Sequence, residues 1–453
     1  MTMNRRRLFA ALAASASAAT PALARETGDT VPRAEVDAAS LGVLPNSETD
    51  QSAALQRAIA HVAAAGAVLR LAPGIYRAGG LQLPSYAAIA GVAGTTQLVL
   101  TGGPSLLSSA GSDHVSLSGL LLDGGNIPLP DDHGLLHLTR GRGIRIANCE
   151  ILNAGSNGIA LEAIAGEVSG NTVTGIADYA IFSNDAAGLK ISGNTVSGAG
   201  NGGILIWRSK PGDDGTLIAD NRIEDIKNKS GGSGQYGNAI NVFRADNVIV
   251  RGNRIRNAAY TAVRGNSAAN LQIVGNTCTG LGEVALYAEF GSQGAVIANN
   301  IVDGAAAGVS VANFDKDGRL AAVQGNMIRN LRRGRPAGDG PSDTAALGIG
   351  VEADTVVNGN VMENVEGTGI QAGWGPYLRD VTISANVVRN ADYGIAVSVA
   401  SGAGAAVIAN NLLSGTRLGA IVGMEWTKVV ADDLSQDRGE RYAQLSIDGN
   451  RVR

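Results

Sequence analysis

Asparagine returns at one phase of a short repeat through most of this 453-residue chain. The frame is apolar-x-x-Asn-x-apolar, as in Val168-Ser-Gly-Asn171-Thr-Val173, Ile191-Ser-Gly-Asn194-Thr-Val196 and Ile218-Ala-Asp-Asn221-Arg-Ile223. It recurs at Asn253, Asn276, Asn300, Asn326, Asn360, Asn386, Asn411 and Asn450, at intervals of 23 to 39 residues. A steady minimum with a variable excess describes a constant coil carrying loops, and a period in the twenties is that of a solenoid. A coil of that size cannot bury its apolar side alone, so neighbouring coils stack into one core. An inward Asn at each turn then meets the Asn above and below, which predicts an amide ladder.

Composition agrees with an all-β solenoid. The chain holds 63 Gly and is 45% hydrophobic but only 4% aromatic, the mix expected for tight turns between short Val/Ile/Ala strands. From about residue 111 each coil has a strand at the Asn frame, a turn, and a second strand opening on a small residue. Gly158-Ile-Ala-Leu161, Ala239-Ile-Asn-Val242 and Gly394-Ile-Ala-Val397 are examples. Residues 25–110 are read as an N-terminal cap with the first coils. An extended lead-in over 25–45 precedes a helix capped by Thr49 or Asp50, with Leu55, Ile59 and Val62 on one face and its end at Gly66. That helix is expected to cover the first coil, because an open sheet end invites edge pairing. Four excursions at 207–216, 227–238, 331–346 and 424–443 are expected to rim a binding face, the last one competing with a role as C-terminal cover.

Residues 1–24 read as an export signal. Asn4-Arg5-Arg6-Arg7-Leu8-Phe9 leads an Ala/Ser-rich apolar stretch that ends in the small-x-small site Ala22-Leu23-Ala24. The consecutive arginines resemble a twin-arginine signal, so the partner at this stage is the machinery that exports folded proteins, and the destination is periplasmic or secreted. No later run reaches the length of about 20 apolar residues that a membrane span needs. Without the three signal arginines, acids exceed bases by seven, which argues against nucleic acid as a partner. Lys is scarce and Arg plentiful, six against thirty, and Arg is the better fork for carboxylate groups. Cys149 stands where the frame has Asn, and Cys278 at an apolar place; some five coils apart, they are read as buried free thiols.

The mature chain resembles the right-handed parallel β-helix proteins of the pectate-lyase-like superfamily. The lead-in from Leu41-Gly-Val-Leu-Pro-Asn46 to Ile59, followed by Leu71-Ala-Pro-Gly-Ile-Tyr76, is similar to the N-terminal cap of polygalacturonase- and lyase-type members. The Asn-frame and Gly-Ile repeats resemble carbohydrate-binding and sugar-hydrolase repeats, and the double-arginine signal adds a likeness to a twin-arginine-exported repeat family with no assigned activity. The resemblance implies a polysaccharide setting. It supplies no reaction, because the Gly-His-Gly, Arg-Ile-Lys and Asp-Pro-His-Asp signatures of the hydrolases and epimerases are absent. His61, His114, His133 and His137 all precede the regular coils, which disfavours a His-based mechanism in the centre, and His133 with His137 reads as a solvated loop pair rather than a metal site.

Stacking places equivalent residues about 5 Å apart, so the outward positions of the second strand form columns. One runs Ala160, Phe182, Leu205, Asn241, Arg264, Tyr287, Ser310, Gly350, Gln371, Ala396, Ile421; the next runs Glu162, Asn184, Trp207, Phe243, Asn266, Glu289, Ala312, Glu352, Gly373, Ser398, Gly423. The centre gathers Tyr287, Arg264 and Glu289 as candidate catalytic residues. Arg208, Arg244, Asn241, Asn266, Trp207 and Phe243 flank them as candidate substrate-binding residues. Arg pairs with uronate carboxylates, aromatic rings take sugar faces, and a Tyr or Arg can abstract the C5 proton. The function expected is a lyase or epimerase acting on an anionic, uronate-containing polysaccharide. A non-catalytic glycan-binding or surface protein is the alternative, and a polygalacturonase-like hydrolase suits less because it needs two suitably spaced carboxylates. The competing account of Arg264 and Glu289 is a cross-coil ion pair. No cofactor motif is present; calcium is the one ion that Asp213-Asp214 and Asp432-Asp433 invite, although such pairs more often sit in solvated turns.

Overall fold

The computed structural model describes residues 33–453 apart from 233, 335–345 and 438–439. The signal segment and most of the 331–346 excursion lie outside the described residues. Strand pairing is parallel from the start. Glu35–Asp37 pairs with Val68–Arg70, and the succession continues coil by coil until Leu412–Glu425 pairs with Arg451–Val452. Stacked coils therefore begin well before residue 111. Between the named strands of the described residues, one pair is antiparallel: Leu412–Glu425 turns back on Lys428–Asp433.

Side chains from successive coils fill the interior in columns. Ile159, Ile181, Ile204 and Ile240 lie in register and are fully buried. Branched side chains suit this geometry because their restricted rotamers stack without loss on a pleated surface.

The Asn ladder runs unbroken from Asn171 to Asn450. Each Nδ2 donates to the Oδ1 of the next rung at 2.9–3.0 Å, as from Asn171 to Asn194 and from Asn411 to Asn450. The same Oδ1 accepts the backbone N–H of the preceding Asn, and the second amide hydrogen goes to a carbonyl of the coil before, as in Asn194 to Val168. Every amide atom is thereby satisfied without water. Cys149 takes the terminal place: its backbone N–H donates to Asn171 Oδ1 at 2.9 Å, and burial pushes its thiol up to about 11. Cys278 is a buried free thiol in the core.

A second, outer ladder is not foreshadowed by the frame. Asn330, Asn364 and Asn390 sit four residues past their ladder Asn with φ of 57°, 58° and 56°. Asn390 donates to Asn364, Asn364 to Asn330, and Asn330 to Asp303. Asn tolerates the left-handed region well at these outer turns, whereas at the inner ladder it is the preceding residue, most often Gly as at Gly170 and Gly193, that has positive φ.

The capping helix spans Ser52–Ala65, with Leu55, Ala58, Ile59 and Val62 buried and Gly66 closing it at φ 64°. Its N-cap position is Gln51, which makes no side-chain cap bond; Asp50 Oδ1 instead accepts the Ser52 N–H at 2.9 Å. The lead-in is extended only at Glu35–Asp37 and then forms a 3-10 turn, Ala38–Leu41. At the other end, the described residues of the 424–443 excursion form a hairpin and a short helix. The hairpin rises beside the sheet at Trp426, while Leu434 in the short helix Leu434–Asp437 is buried in the core.

Candidate functional site

The outward columns stack as the sequence order requires. Ala160, Phe182, Leu205, Asn241, Arg264, Tyr287, Ser310, Gly350, Gln371 and Ala396 are successive register partners. The last coil departs by one residue. Ala396 pairs with Val422 and Ser398 with Met424, while Ile421 points into the core. The slip arises at the irregularity between Ala391 and Tyr393, where the neighbouring coil carries an extra residue.

The first half of this face is a packed ridge. Trp207 meets Phe182 and Phe243 edge-on at 5.4 and 5.7 Å, and Tyr179 stacks on Tyr236 of the 227–238 excursion at 6.4 Å. Far from standing up as a wall, that excursion lies down on the sheet. Asn241 Nδ2 donates to the carbonyls of Gly234 and Gln235, leaving Asn241 buried, and Leu205 is fully enclosed. The 207–216 excursion belongs to the long strand Gly202–Asp213 and resumes parallel pairing at Gly212. Arg208 Nη1 donates to the Ala186 carbonyl at 3.2 Å. Arg244 lies over the Phe243 ring at 4.6 Å and donates to the Ser209 carbonyl. In the expected substrate-binding set, Arg208, Arg244 and Asn241 donate to backbone carbonyls and Trp207 packs on Phe243, while Trp207 Nε1 and Arg208 Nε are left without a hydrogen-bond partner.

Arg264, Tyr287, Glu289 and Asn266 do come together. Arg264 is buried, with Nε 2.7 Å and Nη2 2.6 Å from Glu289 Oε1, which also accepts Asn266 Nδ2. Its Nη1 lies 3.9 Å from Glu283 Oε2 and has no hydrogen-bond partner. The guanidinium therefore sits between two carboxylates, with the Tyr287 ring centroid 5.3 Å away. Burial, followed by the Glu289 charge, raises the Tyr287 phenol well above its ordinary range. At neutral pH this hydroxyl is a proton donor, so the role of base expected of it requires work against its surroundings.

Beyond Tyr287 the face opens into a groove of about 570 Å³ that the pattern of charged and aromatic residues does not single out. Its floor loses bulk at Ser310 and Gly350, the two residues that follow Tyr287 in its column. Glu283, Glu352, Asp392, Trp374 and Tyr393 surround it, and Met424 and Thr427 of the C-terminal hairpin close one side. Trp426 of that hairpin packs edge-on against Trp374 at 5.7 Å and Tyr377 at 6.4 Å, which fixes the rim. Glu352 accepts the Phe314 N–H at 2.6 Å, and burial holds its carboxyl above the usual range. Asp392 is buried and ion-paired with both Arg333 and Arg417. Small residues were the available signal for this groove: an emptied column marks a cavity as surely as charged side chains mark a surface.

Two family models match parts of the chain. One described as a right handed beta helix region covers residues 210–377, and one described as periplasmic copper-binding protein (NosD) covers 107–243. The chain is a right-handed parallel β-helix. None of the curated proteins compared with it matches. Among solved structures, the pre-mature gene product 12 of bacteriophage phi29 aligns with a TM-score of 0.53 at 18% identity, over 88% of this chain and 58% of that one. The mannuronan C-5 epimerase AlgE6 A-module of Azotobacter vinelandii aligns at 0.44 and 14% identity, over 92% and 99%. The Streptococcus pneumoniae surface adhesin PfbA aligns at 0.45 and 13%, over 86% and 94%. At such identities the likeness is one of fold.

The residues present do not suit the copper named in the family description. Copper takes imidazole and soft sulfur donors. His133 and His137 are an edge-to-face pair with ring centroids 4.3 Å apart, Cys149 is a buried ladder terminus, and no three metal-binding side chains converge among the described residues. The acidic pairs considered for calcium divide their tasks. Asp213 accepts from Asn247, buried Asp214 accepts from Thr216, and Asp433 accepts the Ser435 N–H at the start of a short helix. No helix among the described residues is long and apolar enough to cross a membrane.

Proposed function

We propose that this chain is an exported glycan-binding β-helix that holds an extended carbohydrate chain in the groove floored by Ser310 and Gly350. The observation that carries the reading is the groove itself. It combines indole and phenol surface from Trp374 and Tyr393 with acceptors from Glu352 and Gln371, the pairing of apolar faces and directed polar groups that sugars require. Charge selects the class of glycan. The charged residues lining the groove are Glu283, Glu352 and Asp392 against Arg333, and Arg333 is paired with Asp392. Such a site favours an uncharged chain over a polyanion. The export signal over residues 1–24 and the periplasmic description of the NosD family support a destination outside the cytoplasm.

A second reading rests on a specific contact. Arg264 beneath Tyr287 is the pairing expected of a uronate lyase or C5 epimerase, with the phenol donating a proton and Glu283 accepting one. Hydrolysis is disfavoured by placement. Glu352 stands roughly 20 Å along the strand direction from Glu283, against roughly 5 to 10 Å for the paired carboxylates of glycosidases. The remaining acid of the groove, Asp392, is held by Arg333 and Arg417.

Titration calorimetry with neutral, cationic and uronate oligosaccharides, with and without calcium, tests both readings. Binding of a neutral chain without turnover supports the first. Ultraviolet absorbance of an unsaturated uronate end, lost in Tyr287→Phe, replaces it with the second. Failure to bind any glycan removes both.

A further inference from the structure

A different face of the helix carries an apolar stripe that the groove does not use. It lies on the strands that follow the Asn ladder, at the first outward position of each. From Thr172 to Thr277 that position is polar: Thr172, Thr195, Arg222, Arg254 and Thr277 are successive partners. From there it turns apolar for five coils, through Ile301, Met327, Val361, Val387 and Leu412. Ile301, Met327 and Val361 are 39%, 46% and 44% exposed. Single exposed apolar residues need no explanation, but a contiguous column of them on a flat sheet does.

The next outward column on the same strands alternates in charge. Asp303, Arg329, Glu363 and Arg389 are successive register partners, linked within the chain by Arg329–Asp303 and Arg389–Glu363 ion pairs. The order minus, plus, minus, plus becomes its own complement when reversed. A two-fold axis along the strand direction, between the Met327 and Val361 coils, reverses the helix axis while keeping each column in place. It lays Ile301 on the copy's Val387 and Met327 on the copy's Val361, with Leu412 meeting Thr277 at either end. It also sets Asp303 opposite the second copy's Arg389, and Arg329 opposite the second copy's Glu363. A parallel pair or a three-fold arrangement around the helix axis moves the charged column away from itself and forfeits that match.

We propose that this stripe is the interface of an antiparallel homodimer, with a second copy of this chain as its occupant. Isologous interfaces require a self-complementary patch, and the charge order supplies one. The area sets the strength. Five coils at about 4.8 Å and two side-chain columns give roughly 400 Å² per copy, below the roughly 800 Å² of a standard interface, so the association is weak and concentration-dependent.

Sedimentation velocity on the purified mature chain, from about 1 µM to about 1 mM, tests this. The mass is expected to rise toward two chains and no further. Met327→Glu with Val361→Glu is expected to keep the chain monomeric. Arg329→Glu, which sets Glu against Glu363 twice by symmetry, is expected to raise the dissociation constant at least about tenfold. Adding Glu363→Arg to it restores opposite charges across the axis and is expected to recover the dimer, which a merely folded surface would not do. Far-ultraviolet circular dichroism confirms that each variant keeps the helix. A wild-type mass that stays at one chain, or climbs to three, overturns the proposal. So does Arg329→Glu self-associating like wild type, or the double variant remaining monomeric.

Discussion

The outward face of one β-sheet carries a ridge in its first half and a groove in its second, on the same column of register. From Phe182 to Arg264 the column holds large side chains that pack against their neighbours and beneath the 227–238 segment. Past Tyr287, Ser310 and Gly350 withdraw side-chain volume, and the surface drops into a cavity. The ridge has the residue types that a search for sugar binding selects, and the groove has the room. On the ridge the aromatic rings pack on one another and the arginines donate to backbone carbonyls, while the open volume lies where the column is bare.

Arg264 stands at the border and its removal should have the largest effect. Arg264→Ala leaves Glu289 and Glu283 buried beside each other without a cation, which costs about 3 to 5 kcal/mol. Thermal unfolding should show a drop of several degrees, and Arg264→Met with Glu289→Met and Glu283→Gln should recover most of it. A variant as stable as wild type would mean that the pair is solvated and free for ligand.

Filling the groove should separate its two neighbours cleanly. Gly350→Trp places an indole where the floor is lowest, and only a Leu347 methyl, 2.8 Å from where the new Cβ would stand, needs to give. Glycan affinity should fall at least about a hundredfold, near 2.7 kcal/mol, while the melting temperature changes little. On the ridge the pattern should invert. Trp207→Ala removes a ring in contact with Phe182 and Phe243 and should lower stability by about 2 to 4 kcal/mol with groove affinity within about twofold. If Trp207→Ala weakens binding more than Gly350→Trp does, the ridge and not the groove is the glycan site.

The Asn frame made the solenoid legible because a buried rung uses the whole amide: each Oδ1 from Asn194 to Asn450 accepts from the rung before, each Nδ2 from Asn171 to Asn411 donates to the rung after, and Cys149 stands only at the end, where its backbone N–H donates to Asn171. Column membership followed from period-two alternation and stays right up to Ala396, failing at Ile421 where one extra residue enters the turn. The meeting of Arg264, Tyr287 and Glu289 was likewise legible. What the column could not reveal is where a loop comes to rest. Asn241 reads as an exposed amide until Gly234 and Gln235 are seen to accept from it. Nor does the sequence show the rim at Trp374, which exists because Trp426 returns to it from a distant hairpin.

The smallest expected effect concerns pH and sharpens the same contrast. Glu352 lies at the groove, and burial raises its carboxyl above the ordinary 4.5, so folding favours its protonated form. Stability from this group is fully present below pH 4.5 and is lost as pH rises through the folded value. Glu352→Gln removes the cost of burying the charge while keeping an oxygen for the Phe314 N–H. Its melting temperature should therefore exceed that of wild type by a degree or two near neutrality, with the gain fading below about pH 4.5. Glu167, ion-paired to Lys190 on an exposed stretch, is held below its usual range and behaves oppositely: Glu167→Gln should lose a little stability near neutrality and nothing in acid. If both variants shift in the same direction, the groove carboxylate is as solvated as the surface one, and the opening at Gly350 is shallower than its lining implies.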